Sequence, residues 1–427
     1  MNILLLGSGG RESALAWKIS QSPLCSELYI APGNGGTDAY GRNVDLSPMN
    51  FKGVADFVTA HDVDMVVAGN EDPLVAGLRE ALGRECPGVL FVGPGADGAR
   101  LEGSKEFAKR FMADNNIPTA QYRAFTAGTL QQGLEYLETL QPPYVLKADG
   151  LAAGKGVLIP ATLKQAKEDL RQMLGGMFGD AGSTVVVEEF LDGIECSVFV
   201  ITDGQGGYRI LPVAKDYKRV GDGDTGPNTG GMGSVSPVPF ADEVFMRKVR
   251  EKIIEPTLQG LRSACIDYRG FIFFGLMNVG GEPKVIEYNV RMGDPETESV
   301  MPRITSDFVA LLEGAAKGDL GSLPLEVDPC YCVSVVVVNK GYPGSYTKGA
   351  VMQANPSDGR LLFHAGTSRD ADGTLHATGG RVATSTALAD TLQEAVDAAY
   401  RGVEHDLKFE TKAFRRDIGR DLVVLSR

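Results

Sequence analysis

The first 95 residues alternate four short apolar runs with helical patterns, and this alternation limits the fold more than any other feature of the sequence. The apolar runs cover residues 3–6, 28–31, 65–68 and 89–92, and the clearest helical patterns cover residues 13–20 and 74–82. Strand–helix alternation at this spacing predicts a doubly wound parallel sheet. Ligands bind such sheets at the carboxyl ends of the strands. The segments GSGGRES, GNEDPL and GPG follow the first, third and fourth runs, so we expect ligand contacts there.

Beyond this region the sequence predicts a compact unit at residues 118–192, a strand-rich region at residues 195–300 and a last unit from about residue 328. The clearest local signal is a hairpin of two strands, residues 271–279 and 284–289, joined by the turn sequence GGEP. The other predicted elements are a helix at 98–113, strands at 122–125, 144–148, 157–159 and 184–190, helices at 130–140 and 163–174, a long helix at 242–264 and a helix at 391–405.

Composition and residue usage exclude several classes of function. The net charge of −13 argues against a broad nucleic-acid surface. No apolar run approaches the ~18 to 20 residues of a membrane span, and the short apolar N-terminus without a preceding basic region predicts a strand, not a signal peptide.

The six cysteines are scattered except for Cys330 and Cys332, which would share one face of a strand and favour packing over a metal site. The four histidines form no HExxH or HxH pattern, which argues against histidine zinc sites and Ser-His-Asp catalysis. We therefore expect a reduced, cytoplasmic protein that works with lysine, arginine, carboxylates and backbone amides.

The sequence KADGLAAGKGV at residues 147–157 predicts two strands joined by a glycine-rich turn. Glycines let backbone N–H groups close around phosphate oxygens, and Lys147 and Lys155 add a positive charge at each end of the turn. It is not a Walker A loop, because its glycines are separated by three residues instead of four and Gly156 replaces the Ser or Thr that would hold Mg²⁺. We favour phosphate binding over the alternative of a flexible surface hairpin with solvated lysines.

The sequence VVVEEFLDGIECSVFV at residues 185–200 predicts a buried strand that turns into a linker. A nucleotide base needs an apolar slot with backbone donors and acceptors at its edge, and such a segment supplies both. Glu195 is a candidate acceptor for ribose hydroxyl groups. Taken alone, the segment is more typical of an ordinary strand–turn–strand with solvated acids.

The sequence VIEYNVRMGDPETE at residues 285–298 is a candidate metal site. Glu287 and Asn289 are two residues apart, so they point to the same face of the predicted strand. Two oxygen ligands suit Mg²⁺, which takes the rest of its shell from water and ATP phosphates. Arg291 follows on the same side and can bind a carboxylate or phosphate through two hydrogen bonds. The alternative is a surface strand with an Arg–Glu pair of little energetic weight.

The sequence KDYKRVGDGDTGPNTGGMG at residues 215–233 is dense in glycine and charge and has no helical period. A loop of this length is usually functional or disordered. Lys218, Arg219 and Asn228 are its candidate ligand contacts.

The sequence GSGGRES at residues 7–13 opens a helix after the first strand. Backbone N–H groups at a helix N-terminus, with Arg11 alongside, form an anion site. It fails the dinucleotide fingerprint because Glu12 stands where the third glycine should be, so a dehydrogenase is weakly supported.

Taken together, these motifs resemble the phosphoribosylamine–glycine ligases, a family of ATP-grasp enzymes of purine synthesis, over essentially the whole chain. The motifs that carry the resemblance are GSGGRESALAWK, APGNGGT, LEGSKEFAK, KADGLAAGKGV, EEFLDGIECSV, GPNTGGMG and VIEYNVRMGDPETE. KADGLAAGKGV followed by GDPETE is highly specific, whereas single motifs would indicate only some ATP-grasp enzyme. The resemblance implies an α/β ATP-grasp fold. Its parts would be an N-terminal doubly wound parallel-sheet domain at residues 1–102, an ATP-grasp domain at 103–327 with a small mobile lid at about 118–192, and a C-terminal α+β domain at 328–427.

The resemblance also implies the reaction. Glycine would be ligated to 5-phosphoribosylamine, giving glycinamide ribonucleotide, ADP and phosphate through a glycyl phosphate, in de novo purine biosynthesis. ATP would be the co-substrate and Mg²⁺ the metal, with Mn²⁺ as an alternative. From the charge and the lack of long apolar runs we expect no nucleic-acid or membrane partner, and we expect a monomer.

Individual residues take their implied roles from the family motifs. The ATP-binding residues would be Lys105, Lys147, Gly154, Lys155, Gly156, Glu188, Glu189, Phe190, Leu191, Glu195, Lys218, Asn228 and Met277. The residues lining the ribosylamine and glycine side would be Gly9, Gly10, Arg11, Glu12, Asn70, Glu71, Asp72, Pro73, Asp216, Arg291, Gly293, Asp294 and Pro295. Glu287 and Asn289 would hold the metal, and Arg291, Lys155 and Asp216 would take part in catalysis.

Three positions depart from the family pattern. Ser13 stands where the family usually shows His, and GNEDPL replaces the more usual GPEAPL. Residues 275–277, Gly-Leu-Met, lack the acid that many ATP-grasp enzymes carry on the strand before the metal hairpin. Two alternatives stay open: an ATP-grasp ligase for another acid and amine, and a nucleotide-binding regulator without catalysis.

Overall fold

The structure is a computed structural model that describes residues 1–151 and 156–425. No helix among those residues is both long and apolar enough to span a lipid bilayer.

A five-stranded parallel sheet forms the N-terminal part of the chain. Its strands are β1 (Asn2–Gly7), β2 (Glu27–Pro32), β3 (Arg42–Asn43), β4 (Met65–Ala68) and β5 (Leu90–Val92), and its helices are α1 (Gly10–Ile19), α2 (Phe51–Ala60), α3 (Glu71–Val75), α4 (Leu78–Glu85) and α5 (Ala96–Gly103). The strand order is β3-β2-β1-β4-β5, and all pairs are parallel. Leu4 and Leu6 pack in one core cluster while Ile3 and Leu5 pack in another, because successive side chains of β1 point to opposite faces. Both faces of the sheet are therefore buried, as the doubly wound prediction requires.

Two predicted helices in this region are each divided in the structure. The predicted helix at 74–82 ends at Val75 and restarts at Leu78, because Gly77 adopts a φ of +88° that does not continue a helix. The predicted helix at 98–113 is interrupted at Ser104, where α5 ends and α6 (Lys105–Asp114) begins. The hydroxyl of Ser104 accepts a hydrogen bond from the N–H of Phe107 at 3.1 Å, so this serine caps the second helix.

Residues 122–188 build a separate antiparallel sheet with its own core. The strands are β6 (Tyr122–Thr126), β7 (Val145–Ala148), β8 (Val157–Leu158) and β9 (Thr184–Glu188), and the helices are α7 (Leu130–Leu137) and α8 (Leu163–Gln172). The strand order is β6-β9-β7-β8. Leu146 and Val187 belong to the core that these helices cover. Strand alternation then places Lys147 and Glu188 on the opposite face.

The central part of the chain carries the predicted hairpin. Its strands are β10 (Ile194–Thr202), β11 (Tyr208–Ile210), β12 (Lys215–Asp216), β13 (Arg219–Gly221), β14 (Thr225–Asn228), β15 (Gly233–Ser236), β16 (Gly270–Val279) and β17 (Glu282–Asn289), and its helices are α9 (Glu243–Val249), α10 (Glu255–Ser263), α11 (Glu296–Val300) and α12 (Phe308–Lys317). An antiparallel sheet has the order β11-β10-β16-β17, which confirms the hairpin. A bulge at Ile286 shifts the register of β17, because Gly275 pairs with Glu287 and Leu276 pairs with Val285. The predicted helix at 242–264 is α9 and α10 joined by a π-helical turn, Arg250–Ile254.

The C-terminal part is built mainly from antiparallel strands. Its strands are β18 (Tyr331–Asn339), β19 (Ala350–Ala354), β20 (Leu361–His364), β21 (Thr367–Arg369), β22 (Leu375–Ala377), β23 (Arg381–Ala389), β24 (Leu407–Lys408) and β25 (Lys412–Ala413), and its helices are α13 (Leu392–Arg401) and α14 (Arg420–Leu425). The main sheet has the order β12-β15-β18-β23-β20, so two strands from the central region join it. The expectation that Cys330 and Cys332 share a strand face is wrong: Cys332 is buried in β18, but Cys330 precedes the strand and is only half-buried.

The N-terminal and C-terminal parts meet at His364. Its carbonyl accepts hydrogen bonds from the Ser13 hydroxyl at 2.5 Å and from the Asn34 amide at 2.9 Å. Its imidazole lies against Gly36, where an added Cβ would come within 2.2 Å of the ring. Burial lowers the pKa of His364 to about 4, with a smaller contribution from the Arg369 charge.

This buried histidine predicts an acid-sensitive contribution to stability. The folded-state pKa lies below the ordinary value of 6.5, so the unfolded chain takes up the proton first. The stabilising contribution of the neutral His364 imidazole is fully present above pH 6.5 and is lost as the pH falls toward 4. The wild type should lose about 2 kcal/mol of unfolding free energy from this histidine between pH 7 and pH 5. We expect His364→Gln to remove that part of the pH dependence. Urea unfolding at both pH values measures this, with the exposed His405→Gln as control. An identical pH dependence in the His364 variant and the wild type would contradict it.

Candidate active site

Two adjoining cavities lie where the β6–β9 sheet, the hairpin of β16 and β17, and the helices α1, α3, α5 and α6 meet. The larger has a volume of about 320 Å³ and the smaller about 200 Å³. The residues that line both are Lys147, Val157, Glu188, Lys218, Thr229, Ile286 and Glu287. The cavities therefore form one continuous cleft with an apolar end and a charged end.

The smaller cavity is an apolar slot with a polar edge. Its apolar lining is Val145, Val157, Ile159, Phe190, Leu191, Met277 and Ile286. Its polar lining includes Glu189, Glu195, Lys218, Asn228 and Thr229. The Lys218 ammonium lies 2.6 Å from the Glu195 carboxylate, which fixes both groups at the rim. A flat heteroaromatic ring has the shape and polarity for such a slot.

A three-group ion cluster stands where the cavities join. The Lys147 ammonium lies 3.0 Å from one oxygen of Glu188 and donates a hydrogen bond to the carbonyl of Ile286 at 3.1 Å. The Lys109 ammonium lies 3.0 Å from the other Glu188 oxygen. Burial lowers the pKa of Lys109 to about 8 despite this neighbouring carboxylate. Glu188 thus holds Lys147 at the entrance to the charged cavity.

Lys109 was not among the predicted site residues, although the sequence carries a signal for it. Lys105 and Lys109 are four residues apart in α6, so they lie on one face of the helix. Both line the larger cavity. Lys105 donates to the carbonyl of Gly150 at 3.4 Å, and burial lowers its pKa.

Glu287 and Asn289 lie on the same face of β17 and both line the larger cavity, as the alternation of the strand predicts. Among the described residues, neither side chain makes a hydrogen bond or a direct ion pair. Burial would raise the pKa of Glu287, but the surrounding positive charges, that of Lys218 foremost, hold it below its ordinary value. Gly275 pairs with Glu287 across the hairpin, and an added Cβ there would lie 3.1 Å from the Glu287 Cγ. The hairpin therefore offers two free oxygen donors to the cavity.

The far end of the larger cavity contains Arg291 between two carboxylates. Its guanidinium lies 3.0 Å from Glu71 and 2.7 Å from Glu102. Burial raises the pKa of Glu102 to about 7 even though Arg291 opposes this. Glu102, from α5, is not indicated by the sequence. Only folding brings it into contact with Arg291, which lies 189 positions later in the chain.

Asp216 and Arg11 complete this end of the cavity. Burial raises the pKa of Asp216, with the Lys218 charge opposing it. The Arg11 guanidinium lies 2.8 Å from Glu12, and its N–H also donates to the carbonyl of Met292 at 3.0 Å.

Eight predicted substrate residues do not line either cavity: Gly9, Gly10, Glu12, Asn70, Asp72, Pro73, Gly293 and Pro295. Two of them, Gly9 and Gly10, lie against buried acidic side chains. The N–H of Gly9 donates to Glu12 at 2.6 Å, and an added Cβ at Gly10 would come within 2.2 Å of Glu298. The buried side-chain oxygen of Asn70 has no hydrogen-bond partner among the described residues.

The other predicted residues fall into two groups. The remaining predicted ligand residues line one or both cavities: Lys105, Lys147, Gly156, Glu188, Glu189, Phe190, Leu191, Glu195, Lys218, Asn228, Met277, Arg11, Glu71, Asp216, Arg291, Asp294, Glu287 and Asn289. Gly154 and Lys155 lie outside the described residues.

The C-terminal part contributes Arg381 to the larger cavity, which the sequence did not indicate. One guanidinium nitrogen, Nη1, lies 2.8 Å from the Asp294 carboxylate and 2.7 Å from the carbonyl of Gly230. The Nε and Nη2 groups make no hydrogen bond with any described residue. Arg381 opens β23, whose sequence RVATSTALA carries no motif that indicates a ligand site.

Models of known protein families match most of the length of the chain. Residues 1–102 match the N domain of phosphoribosylglycinamide synthetase, residues 103–297 its ATP-grasp (A) domain and residues 332–421 its C domain. The chain belongs to the phosphoribosylglycinamide synthetase family. This membership confirms the family resemblance and the ATP-grasp fold predicted from the motifs.

Relatives of the family cover nearly the full chain. A phosphoribosylamine–glycine ligase from Pseudomonas aeruginosa is 46% identical over 98% of this chain and 97% of its own length. A bifunctional purine biosynthetic protein from Pichia angusta is 44% identical over 98% of this chain, which spans 53% of that protein. The crystal structure of a phosphoribosylamine–glycine ligase from Thermotoga maritima is 36% identical with a TM-score of 0.85, covering 98% of this chain and all of that one.

Proposed function

We propose that this chain ligates glycine to 5-phosphoribosylamine with cleavage of ATP to ADP and phosphate, giving glycinamide ribonucleotide for de novo purine biosynthesis. The observation that carries the proposal is the cleft itself: an apolar slot opens into a cavity that holds several cations and two free oxygen donors. Relatives that match this chain over nearly their whole length are named for this ligation.

The cleft gives ATP one natural orientation. The adenine ring would occupy the apolar slot beside Phe190 and Met277, and Glu195 at the rim would accept hydrogen bonds from the ribose. The phosphates would then reach Lys147 and Lys105 in the charged cavity. In the proposal Gly154, Lys155 and Gly156 complete the phosphate contacts.

Glu287 and Asn289 fit a divalent cation. Their oxygens face the cavity without partners, and oxygen ligands are those that Mg²⁺ prefers. The described residues contain no cluster of three or more His, Cys, Asp or Glu able to hold a metal, so the rest of the shell would come from ATP phosphates and water. We assign Mg²⁺ to this pair, with Mn²⁺ as an alternative. When bound, the ion neutralises charge on the phosphate oxygens.

The reaction would proceed in two steps. One carboxylate oxygen of glycine attacks the γ-phosphorus of ATP, and ADP leaves as glycyl phosphate forms. The amine of phosphoribosylamine then attacks the glycyl carbonyl carbon, and the tetrahedral intermediate expels phosphate. The first step needs positioning and charge neutralisation, which Lys147 and Lys155 would supply. Arg291 would stabilise the developing oxyanion, and Asp216, whose pKa is raised by burial, would accept the amine proton.

A glycyl phosphate hydrolyses in water, so the cleft must exclude solvent during turnover. We propose the domain division 1–102, 103–327 and 328–427, with residues 118–192 as a lid that closes over ATP. The sheet of β6–β9 supports this role, because one of its faces carries the buried cavity residues Lys147 and Glu188 while its other face packs on its own helices. We also propose that the chain acts as a monomer in the cytoplasm.

Release of ADP tests this proposal. The full chain is incubated with Mg-ATP, glycine and freshly generated phosphoribosylamine, and each is omitted in turn. ADP that forms only when all three are present supports the ligation. ADP with glycine alone would indicate a leaking acyl phosphate and a different amine. ATP binding without ADP under any combination would overturn the proposal and leave a nucleotide-binding scaffold.

Arg381 gives a prediction for the phosphoribosylamine side. Its unused Nε and Nη2 donors suit a phosphate oxygen. We expect Arg381→Met to raise the KM for phosphoribosylamine about tenfold, with the KM for ATP within about twofold of the wild type. Initial rates at varied phosphoribosylamine measure this. Arg369→Met serves as control, because Arg369 lies in the same part of the chain but lines neither cavity. Equal effects of Arg381→Met on both KM values would contradict the assignment.

A further inference from the structure

The hairpin of β13 and β14, residues 219–228, forms part of the cavity wall without belonging to a larger sheet. Its two strands pair only with each other. Residues 222–227, which include its turn, are exposed to solvent. A two-stranded hairpin of this kind is marginally stable in water on its own. Asn228 at its end lines the smaller cavity, so something else must hold the hairpin in place.

The segment 415–417 of the C-terminal part holds the turn of this hairpin. The Arg415 side chain is 1% exposed and donates from Nη1 to the carbonyl of Arg219 at 3.0 Å and to Asp224 at 2.8 Å. Its Nε and Nη2 donate to both oxygens of Asp417 at 2.8 and 2.9 Å. Asp417 in turn accepts the N–H of Gly223 at 2.7 Å. The guanidinium is therefore the centre of a network that spans the hairpin from its first strand to its turn.

Two further contacts come from the same part of the chain. The N–H of Arg416 donates to the Asp222 carboxylate at 2.7 Å. Beyond the far end of the hairpin, the N–H of Gly230 donates to the hydroxyl of Tyr342 at 3.1 Å. The residues of the C-terminal part that make these contacts lie more than 100 positions from the hairpin along the chain. The position of the cavity wall thus depends on the C-terminal part.

We propose that Arg415 is a positioning residue for the nucleotide: it anchors the 219–228 hairpin so that Asn228 closes the edge of the adenine slot. Arg415 lines neither cavity, so it acts through the hairpin and not by contact with ATP. This inference rests on the proposed function, since it takes ATP as the occupant of the slot.

The matched pair Arg415→Met and Arg360→Met tests it. Arg360 is also a buried arginine of the C-terminal part, and it forms a two-point ion pair with Asp406 away from the hairpin. Mg-ATP binding to each full-length variant is measured by calorimetry, and KM values for ATP and glycine by ADP release. We expect Arg415→Met to raise the Kd and the KM for ATP about tenfold while the KM for glycine stays within about twofold. We expect Arg360→Met to leave both KM values unchanged. A folded Arg415→Met variant that binds ATP like the wild type would overturn the inference.

A milder variant covers the case in which Arg415→Met does not fold. Asp224 is exposed, with a φ of +54° that asparagine tolerates, so Asp224→Asn keeps the backbone and weakens one contact of Arg415. We expect faster hydrogen exchange of the amides of residues 219–228 and a Kd for ATP about threefold higher. Wild-type exchange together with a wild-type Kd would overturn the inference. If the wild-type chain itself does not bind ATP, the proposed function fails first and independently.

Discussion

Glu287→Gln is expected to lower the rate of ADP release by about a thousandfold with all three substrates saturating. The substitution keeps the size of the side chain and removes the negative charge that faces the cavity. Glu287 has no hydrogen bond or direct ion pair among the described residues, so removal of its charge breaks no contact of the fold. We expect the unfolding free energy to fall by no more than about 1 kcal/mol, because the surrounding positive charges favour the charged form of Glu287 and lose that partner in the variant.

The control for this variant is Glu282→Gln on the same strand. Glu282 lies at the outer end of β17, where it pairs with Lys248 and Lys252 on the surface. We expect its ADP release to stay within about twofold of the wild type. A folded Glu287→Gln variant with more than about a tenth of wild-type activity would contradict the metal assignment.

Lys147→Met is expected to lower kcat/KM for ATP by about a hundredfold or more. Lys147 stands at the junction of the two cavities, where a positive charge would meet the phosphates of ATP. Its removal leaves Glu188 paired with Lys109, so the buried carboxylate keeps one cation at 3.0 Å. We expect a moderate loss of stability of about 2 kcal/mol, less than that of a fully unpaired buried charge.

The exposed Lys164→Met, in α8 of the same unit, controls for loss of a lysine that faces solvent. Lys147→Arg provides a second comparison, since it keeps the charge but not the compact geometry of the ammonium. Steady-state kinetics at varied ATP measures both effects. A wild-type KM and kcat for folded Lys147→Met would show that the phosphates bind elsewhere.

Part of the apolar end of the cleft can be predicted from the sequence, because several of its residues lie within two short motifs. The residues at 188–191 follow one strand end, and Glu287 and Asn289 follow the period of a strand. Local chemistry and strand alternation are enough to bring such groups to one face. All the described residues that the family motifs imply for ATP binding line a cavity.

The other side of the cleft depends on contacts between distant segments, which no local pattern reveals. Glu102 and Arg381 reach the cavity through helix and strand ends that look ordinary in sequence. The family motif implies Gly9 and Gly10 as ligand contacts, and in the structure these glycines also make room for the acids Glu12 and Glu298. A glycine that admits a neighbouring side chain and a glycine that admits a ligand look the same in sequence.

Element boundaries show the same limit on a smaller scale. Apolar spacing predicts a single helix at 74–82, yet the positive φ of Gly77 divides it. Cys330 continues the apolar run of β18 in sequence but lies outside the strand, where its N–H donates to the Asp328 carboxylate at 2.8 Å. In both cases one backbone contact or dihedral angle outweighs the hydrophobic pattern.

Transfer of carboxylate oxygen tests the proposed ligation most directly. Glycine labelled with ¹⁸O in both carboxylate oxygens is turned over with unlabelled ATP and freshly generated phosphoribosylamine, and the released phosphate is analysed by mass spectrometry. If the carboxylate attacks ATP and the amine then displaces phosphate, each phosphate carries one ¹⁸O atom and the glycinamide product keeps the other. Phosphate without the label, released at the same rate as ADP, would contradict glycine activation in this cleft.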